Sequence, residues 1–200
     1  MSTINQADFF AIQRVVEDWA VFRDAGMFDQ LAALFHDDGR MMTTWSQVSG
    51  QEFAALTRRG WGNGILVNHA MSGCHIDIAG DRAVAQTKVT IAQRAAIDGI
   101  WCDAFCDGRF YDLFERRDGA WKIVLRHPIY ERDRMTTASP GPAPVLDAEL
   151  LASFPEGYRH LAYLQTKLGL TVKRDMPGLM GPEVEALYAQ GRAWLEGGDA

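Results

Sequence analysis

Apolar residues recur at helical spacing near the start of the chain and at strand spacing through its middle. Phe9, Ile12, Val16 and Trp19 stand three or four apart, with Asn5 placed to cap them and Asp8 three residues later. This predicts a first helix ending at about Asp24. Gly26 breaks it, and Asp29 opens a second helix with Leu31, Leu34 and Phe35 on one side, ended by a turn over His36–Gly39. A short strand follows around Met41–Trp45. Ser49 and Glu52 then make a capping box for a third helix carrying Phe53 and Leu56, which Gly60, Gly62 and Gly64 end.

From Ile65 the pattern alternates. Val67, His69 and Met71 share one strand face, and Cys74, Ile76 and Ile78 continue after Ser72-Gly73 with shifted parity, which predicts a bulge. Gly80-Asp81 turns the chain into a strand over Ala83–Arg94. A third long strand runs from about Trp101 to Arg116, and Asp118-Gly119 turns it into a fourth, Ala120 to about Arg132. Helices first and a meander after predict an α+β domain in which a curved antiparallel sheet wraps around packed helices.

Thr136–Pro144 is rich in proline and small residues and offers no apolar face, so it is a linker by composition. The expected division is a domain over 1–134, a linker over 135–146 and a helical extension over 147–200. In that extension Asp147 caps a short helix, and Pro155 starts another with Tyr158, Leu161 and Leu168. Pro182 begins a third with Val184, Leu187, Trp194 and Leu195. These stripes are too apolar for a solvated tail and call for docking on the core or on a neighbouring subunit.

Composition narrows the partners. Two hundred residues with 48% hydrophobic content suit one core rather than two full domains. A net charge of -6 gives no general attraction for nucleic acid or for an anionic membrane. No signal-type start or bilayer-length apolar run is visible, so a cytoplasmic protein with a small-molecule partner is expected. Cys74, Cys102 and Cys106 are odd in number and lack CxxC spacing, and read as small buried hydrophobes of a reducing compartment. His36, His75, His127 and His160 show no ligand spacing, and no glycine loop of the phosphate-cradling kind occurs. Neither metal nor cofactor is expected.

Three residues are candidates for chemistry. Asp24 lies near the edge of the first helix's apolar stripe. His69 sits on an apolar strand face and needs a partner for one or both ring nitrogens. Arg126 faces inward on the last strand and needs an anion, which could be Asp112, Asp24 or a ligand. Each has a plain structural alternative: a helix-ending aspartate, a core histidine bonded to backbone, a salt bridge at the rim. Phe110, Asp112 and Phe114 share a face with Cys106, making Asp112 a second acid near the pocket, and Trp45, Trp61 and Trp101 are candidates for its apolar wall. Trp19, Val67, Met71, Phe110, Asp112 and Tyr130 are the expected substrate contacts.

The stretch AIQRVVEDWAVFRDAGMFDQLAALFHDDG, the His69 strand and GRFYDLFERRDGAWKIVLR together resemble SnoaL-like proteins of the nuclear transport factor 2-like superfamily, over about Ala7–Arg132. The resemblance implies a cone-shaped, cystatin-like fold whose sheet and helices enclose one deep apolar pocket. That superfamily includes polyketide cyclases, scytalone dehydratase, ketosteroid isomerase and dioxygenase β subunits. Laid against hexachlorocyclohexane dehydrochlorinase, Asp24 matches the dyad aspartate, His69 the dyad histidine and Arg126 the arginine that assists the leaving group. The pocket lysine of that enzyme falls on Trp19. The tyrosine before the aspartate in scytalone dehydratase has no counterpart, the position being Arg23.

The resemblance implies a cofactor-independent lyase or isomerase, of dehydratase, elimination or cyclase type, acting on a small, apolar, cyclic substrate. Its rate would rise with pH as His69 loses its proton, at about 6.5 or above beside Asp24. The rival expectations are a non-catalytic subunit that binds a small hydrophobe or serves assembly, and a dioxygenase-type β subunit. A homo-oligomer is expected, a dimer ahead of a trimer. Elemental analysis and an absorption spectrum of the purified protein should show neither stoichiometric metal nor flavin; stoichiometric zinc or iron would reveal ligands distant in sequence.

Overall fold

The computed structural model describes residues 5–62 and 65–200, so the expected helix end at Gly64 lies outside them. Helix α1, Gln6–Asp24, begins where the Asn5 side chain accepts the backbone N–H of Ala7. It buries Ile12, Val16 and Trp19. Helix α2 spans Phe28–Ala33, and strand β1, Phe35–Met42, follows directly. The expected turn over His36–Gly39 is therefore part of a strand. Phe35 pairs with Ile123 and Arg40 with Leu125 of the last strand, so His36–Gly39 stand opposite Val124 alone as a bulge. Strand β2, Gln47–Ser49, leads into helix α3, Gly50–Gly62, where Ser49 Oγ accepts the N–H of Glu52 at 3.1 Å.

Four long strands complete the sheet: β3 Leu66–Ala79, β4 Arg82–Ile97, β5 Ile100–Arg117 and β6 Ala120–Thr137. Their order is β2-β1-β6-β5-β4-β3. All neighbours are antiparallel except β1 and β6, which run parallel; the wholly antiparallel expectation is corrected at that one pair. The predicted bulge falls at Gly73, with φ 52° and a register shift between Ser72 and Cys74. Asp118-Gly119 turns with both residues at positive φ, as the tight hairpin requires. The last strand continues past Arg132 because β5 supplies partners as far as Cys102↔Thr137. The proline-rich connection accordingly begins at Ala138, not at 135. No helix among the described residues is long and apolar enough to cross a membrane.

The C-terminal helices divide between the two faces of the sheet. Helix α4, Ala148–Ala152, a 3-10 turn over Glu156–Tyr158 and helix α5, Arg159–Lys167, join α1 on one face, where Leu161, Ala162, Tyr163 and Leu164 are buried. Helix α6, Pro182–Leu195, covers the other face, setting Val184, Leu187 and Trp194 against Val84, Leu113, Val124 and Leu125. Both approaches are close. A Cβ at Gly157 would overlap the Tyr130 carbonyl, and one at Gly191 would overlap the Tyr111 ring. Leu168, expected on the buried stripe, instead follows the last turn of α5 and is exposed.

Trp194 is the anchor of α6. It is 3% exposed, its Nε1 donates to the Phe114 carbonyl at 3.1 Å, and the Arg82 guanidinium lies 3.9 Å over its ring. Trp194→Ala should therefore cost about 3–5 kcal/mol in urea unfolding. Ending the chain at Ser139 should uncover both faces and produce aggregation. A truncated protein that melts at the full-length temperature would show that these helices stabilise nothing.

Candidate active site

The last turn of α1 delivers Asp24 to the first part of β3. Its Oδ1 lies 2.8 Å from His69 Nδ1, and its Oδ2 accepts the backbone N–H of the same residue. An ionised carboxylate only accepts hydrogen bonds, so this clamp assigns the proton to Nδ1 and leaves Nε2 with its lone pair. Nε2 has no hydrogen-bond partner among the described residues. Trp19 stands edge-on to the imidazole with ring centroids 5.0 Å apart, and the Phe110 ring is 6.2 Å away.

Burial lowers the pKa of His69. The Asp24 carboxylate raises it, but by less, and the Arg23 and Arg126 guanidiniums lower it further. The expectation of a value at or above 6.5 is corrected accordingly. An imidazolium in this aromatic pocket loses more hydration than one carboxylate restores. His69 is neutral at pH 7 and able to accept a proton at Nε2.

The imidazole borders an inner chamber of about 50 Å³, walled by Trp19, Met41, Trp45, Phe53 and Phe110. Its polar lining is a relay: Thr44 Oγ1 donates to Gln165 Oε1 at 2.6 Å, and Gln165 Nε2 donates to Gln93 Oε1 at 3.1 Å. A second chamber of about 300 Å³ shares Arg23, Trp45, Val67 and Gln93 with the first and is lined further out by Leu168 and Leu170. The inner space suits a water molecule or a reacting group rather than a ring. The outer one is at the lower end of ligand-pocket size. Helix α5 contributes Leu161 and Gln165 to the first, and the segment after it lines the second.

Asp24 and His69 meet, and Trp19, Val67, Phe110 and Tyr130 line the inner chamber as the sequence suggested. Arg126, Asp112 and Met71 do not reach it. Register places Asp112 opposite Arg126 on β5 and β6, and the guanidinium makes a two-pronged bond to the carboxylate at 2.8 and 2.7 Å, both side chains wholly buried. Burial raises the Asp112 pKa even so. Arg126 Cζ lies 4.6 Å from the ring centroids of both Trp19 and Phe110, which stand between it and the chamber. The expected leaving-group role of Arg126 is thus corrected to a structural one: Asp112 takes Nε and Nη2, Nη1 is buried without a hydrogen-bond partner, and the side chain does not line the chamber. Met71 packs against the core. Trp61 and Trp101 are exposed rather than walls of the pocket.

Arg23, Thr44, Gln93 and Gln165 also line the pocket and are not among the residues expected there from the sequence. A signal existed for the first. Ile12, Val16, Trp19 and Arg23 follow one another at spacings of four, three and four, so Arg23 continues the buried stripe of α1. Gln165 likewise stands four residues after the buried Leu161.

The family described as the SnoaL-like domain matches residues 7–127. The uncharacterized protein AN9274 of Emericella nidulans is 36% identical over 202 residues, covering 93% of this chain and 85% of that protein. Pea pathogenicity protein 2 of Fusarium vanettenii is 34% identical over 209 residues, covering 96% and 90%. Both matches extend well into the C-terminal helices, which the family match does not include. Among solved structures, a type 2 hexachlorocyclohexane dehydrochlorinase shares the fold with 19% identity and a TM-score of 0.55, over 70% of this chain and 95% of that one.

The buried pair yields a prediction. Asp112→Leu or Arg126→Leu alone should each cost about 3–5 kcal/mol in chemical denaturation, because one charge is left buried without its partner. The double variant should recover most of that loss, and purely additive losses would mean that the two side chains are not energetically coupled.

Proposed function

We propose that this chain, which belongs to the SnoaL-like domain family, is a cofactor-independent lyase or isomerase that uses His69 as a general base on a small ring compound. The observation that carries this reading is the clamp of Asp24 on His69, which leaves Nε2 unpartnered at the edge of a small, largely aromatic chamber. Nε2 takes a proton from a carbon next to an electron-withdrawing group, and the C–H electron pair moves into that group. Asp24 stabilises the imidazolium that results, and the imidazolium returns the proton to another atom of the ring or to the leaving group. The substrate ring occupies the outer chamber with its reacting carbon toward His69. General-base action contributes about 10²–10⁴-fold, and fixing the ring against the base supplies the remainder.

A second reading has one observation in its favour. The inner chamber of about 50 Å³ leaves little room beside the base, which suits a subunit that binds a small hydrophobe without transforming it.

Exchange of the α-protons of 2-tetralone in D2O, followed by NMR, separates the two. The intact protein should exceed the buffer rate and His69→Ala should return to it. Asp24→Asn should fall toward the buffer rate as well, because an amide can accept only one of the two N–H groups and sets its own NH2 against the other. Since His69 is shifted downward, exchange should rise with pH at a midpoint below about 6.5 and be flat above neutrality. Tetralone that binds without exchange would favour the second reading, and wild-type exchange by His69→Ala would eliminate the first.

A further inference from the structure

Most arginines drawn into the body of this protein have an acidic partner. Arg126 has Asp112, Arg109 has Glu131, and Arg116 has Asp8 and Asp81. Arg23 is different. It is only 7% exposed and borders both chambers, yet it has no salt bridge or hydrogen bond among the described residues. Asp24 is the one nearby carboxylate that acts on it, and both oxygens of that carboxylate are committed to His69. A guanidinium keeps its charge at any ordinary pH, and the Arg23 nitrogens, unlike Arg126 Nη1, are not sealed from solvent, so they are open to an anion that enters the chambers.

We infer that Arg23 is the anion-binding residue of this pocket and that the ligand is an aromatic or cyclic compound bearing one carboxylate. The inference rests on taking the two chambers as the ligand site. One guanidinium neutralises one charge and presents a planar fork that matches a carboxylate, which favours a monoanion over a phosphate dianion. Gln93 stands beside Arg23 where the chambers join. Its Oε1 is occupied by Gln165, so the Thr44–Gln165–Gln93 relay leaves the Gln93 NH2 free to donate to the same ligand group. A ring anchored there by its carboxylate lies in the outer chamber, within reach of His69. The C-terminal helices thereby take part in ligand choice through Gln165.

Calorimetric titration of the full chain with 2-naphthoate and with 2-naphthamide, its neutral isostere, tests this. The wild type should prefer the carboxylate by about 10-fold or more, the discrimination expected of a charge-assisted hydrogen bond. Arg23→Met should lose the preference while still binding the amide, and Arg23→Lys should retain part of it. Wild-type protein that exchanges 2-tetralone protons yet shows no carboxylate preference fails the anion site alone, and a preference without exchange fails the general base alone, so the two failures are distinguishable. Thermal melting supplies a readout that a structural arginine would move the other way. Without ligand, Arg23→Met should melt higher than the wild type because an unpaired, largely buried charge is gone, and naphthoate should raise the wild-type melting temperature more than that of the variant. Equal affinity for the two probes, binding of neither at millimolar concentration, a preference that survives Arg23→Met, or a lowered melting temperature in that variant would each overturn the assignment.

Discussion

Two opposite charges withdrawn from water, Arg126 and Asp112, constrain what can surround the centre of this sheet. Both are wholly buried, and the two-pronged bond between them is only part of what a guanidinium requires. The remainder comes from aromatic faces: Trp19 and Phe110 each stand 4.6 Å from Arg126 Cζ. Those rings also flank His69 and form part of the chamber wall. A pair that no ligand reaches thus helps to position the aromatic surface that a ligand would meet. Arg126 also adds its field to the burial that keeps the imidazole neutral.

Helix α1 connects this interior to the site through three residues in its last two turns. Trp19 turns toward the charge pair. Arg23, one turn later on the same stripe, points along the chambers. Asp24 is rotated a further 100° or so, which takes it off the stripe and against β3, where it grips both the ring and the backbone of His69. Adjacent residues therefore carry opposite charges to different tasks without neutralising each other. The clamp needs β3 at a defined height, and the antiparallel ladder with β4, which pairs His69 with Ile91, supplies it.

The C-terminal helices complete both sides of the sheet. Without α6, Val84, Leu113 and Val124 would face solvent. Without α5, the inner chamber would lose Leu161 and Gln165, and with Gln165 the hydrogen bonds that orient Thr44 and Gln93. Stability and pocket shape are thus coupled through one segment. Its close approach to the sheet at Gly157 and Gly191 leaves no room for a larger residue at either position.

Periodicity alone determined much of the architecture: helices first, a four-strand meander after, the bulge at Ser72-Gly73 and the apolar faces of the C-terminal helices. These are local properties, set by which residues can bury a face at a spacing of 3.6 or 2. Asp24 and His69 were candidates by their places on the helix and the strand, but their pairing was implied by the family resemblance rather than by periodicity. Which partner each group found was decided only by tertiary structure. Strand register gave Arg126 to Asp112 rather than to the cavity. Pairing of Phe35 and Arg40 with β6 carried His36–Gly39 as a bulge within a strand, and the path of the C-terminal segment placed Gln165 beside Gln93, 72 residues away in sequence. Hydrogen bonds and ion pairs depend on distances of a few ångströms between residues remote along the chain, and those distances are set by packing rather than by any local pattern.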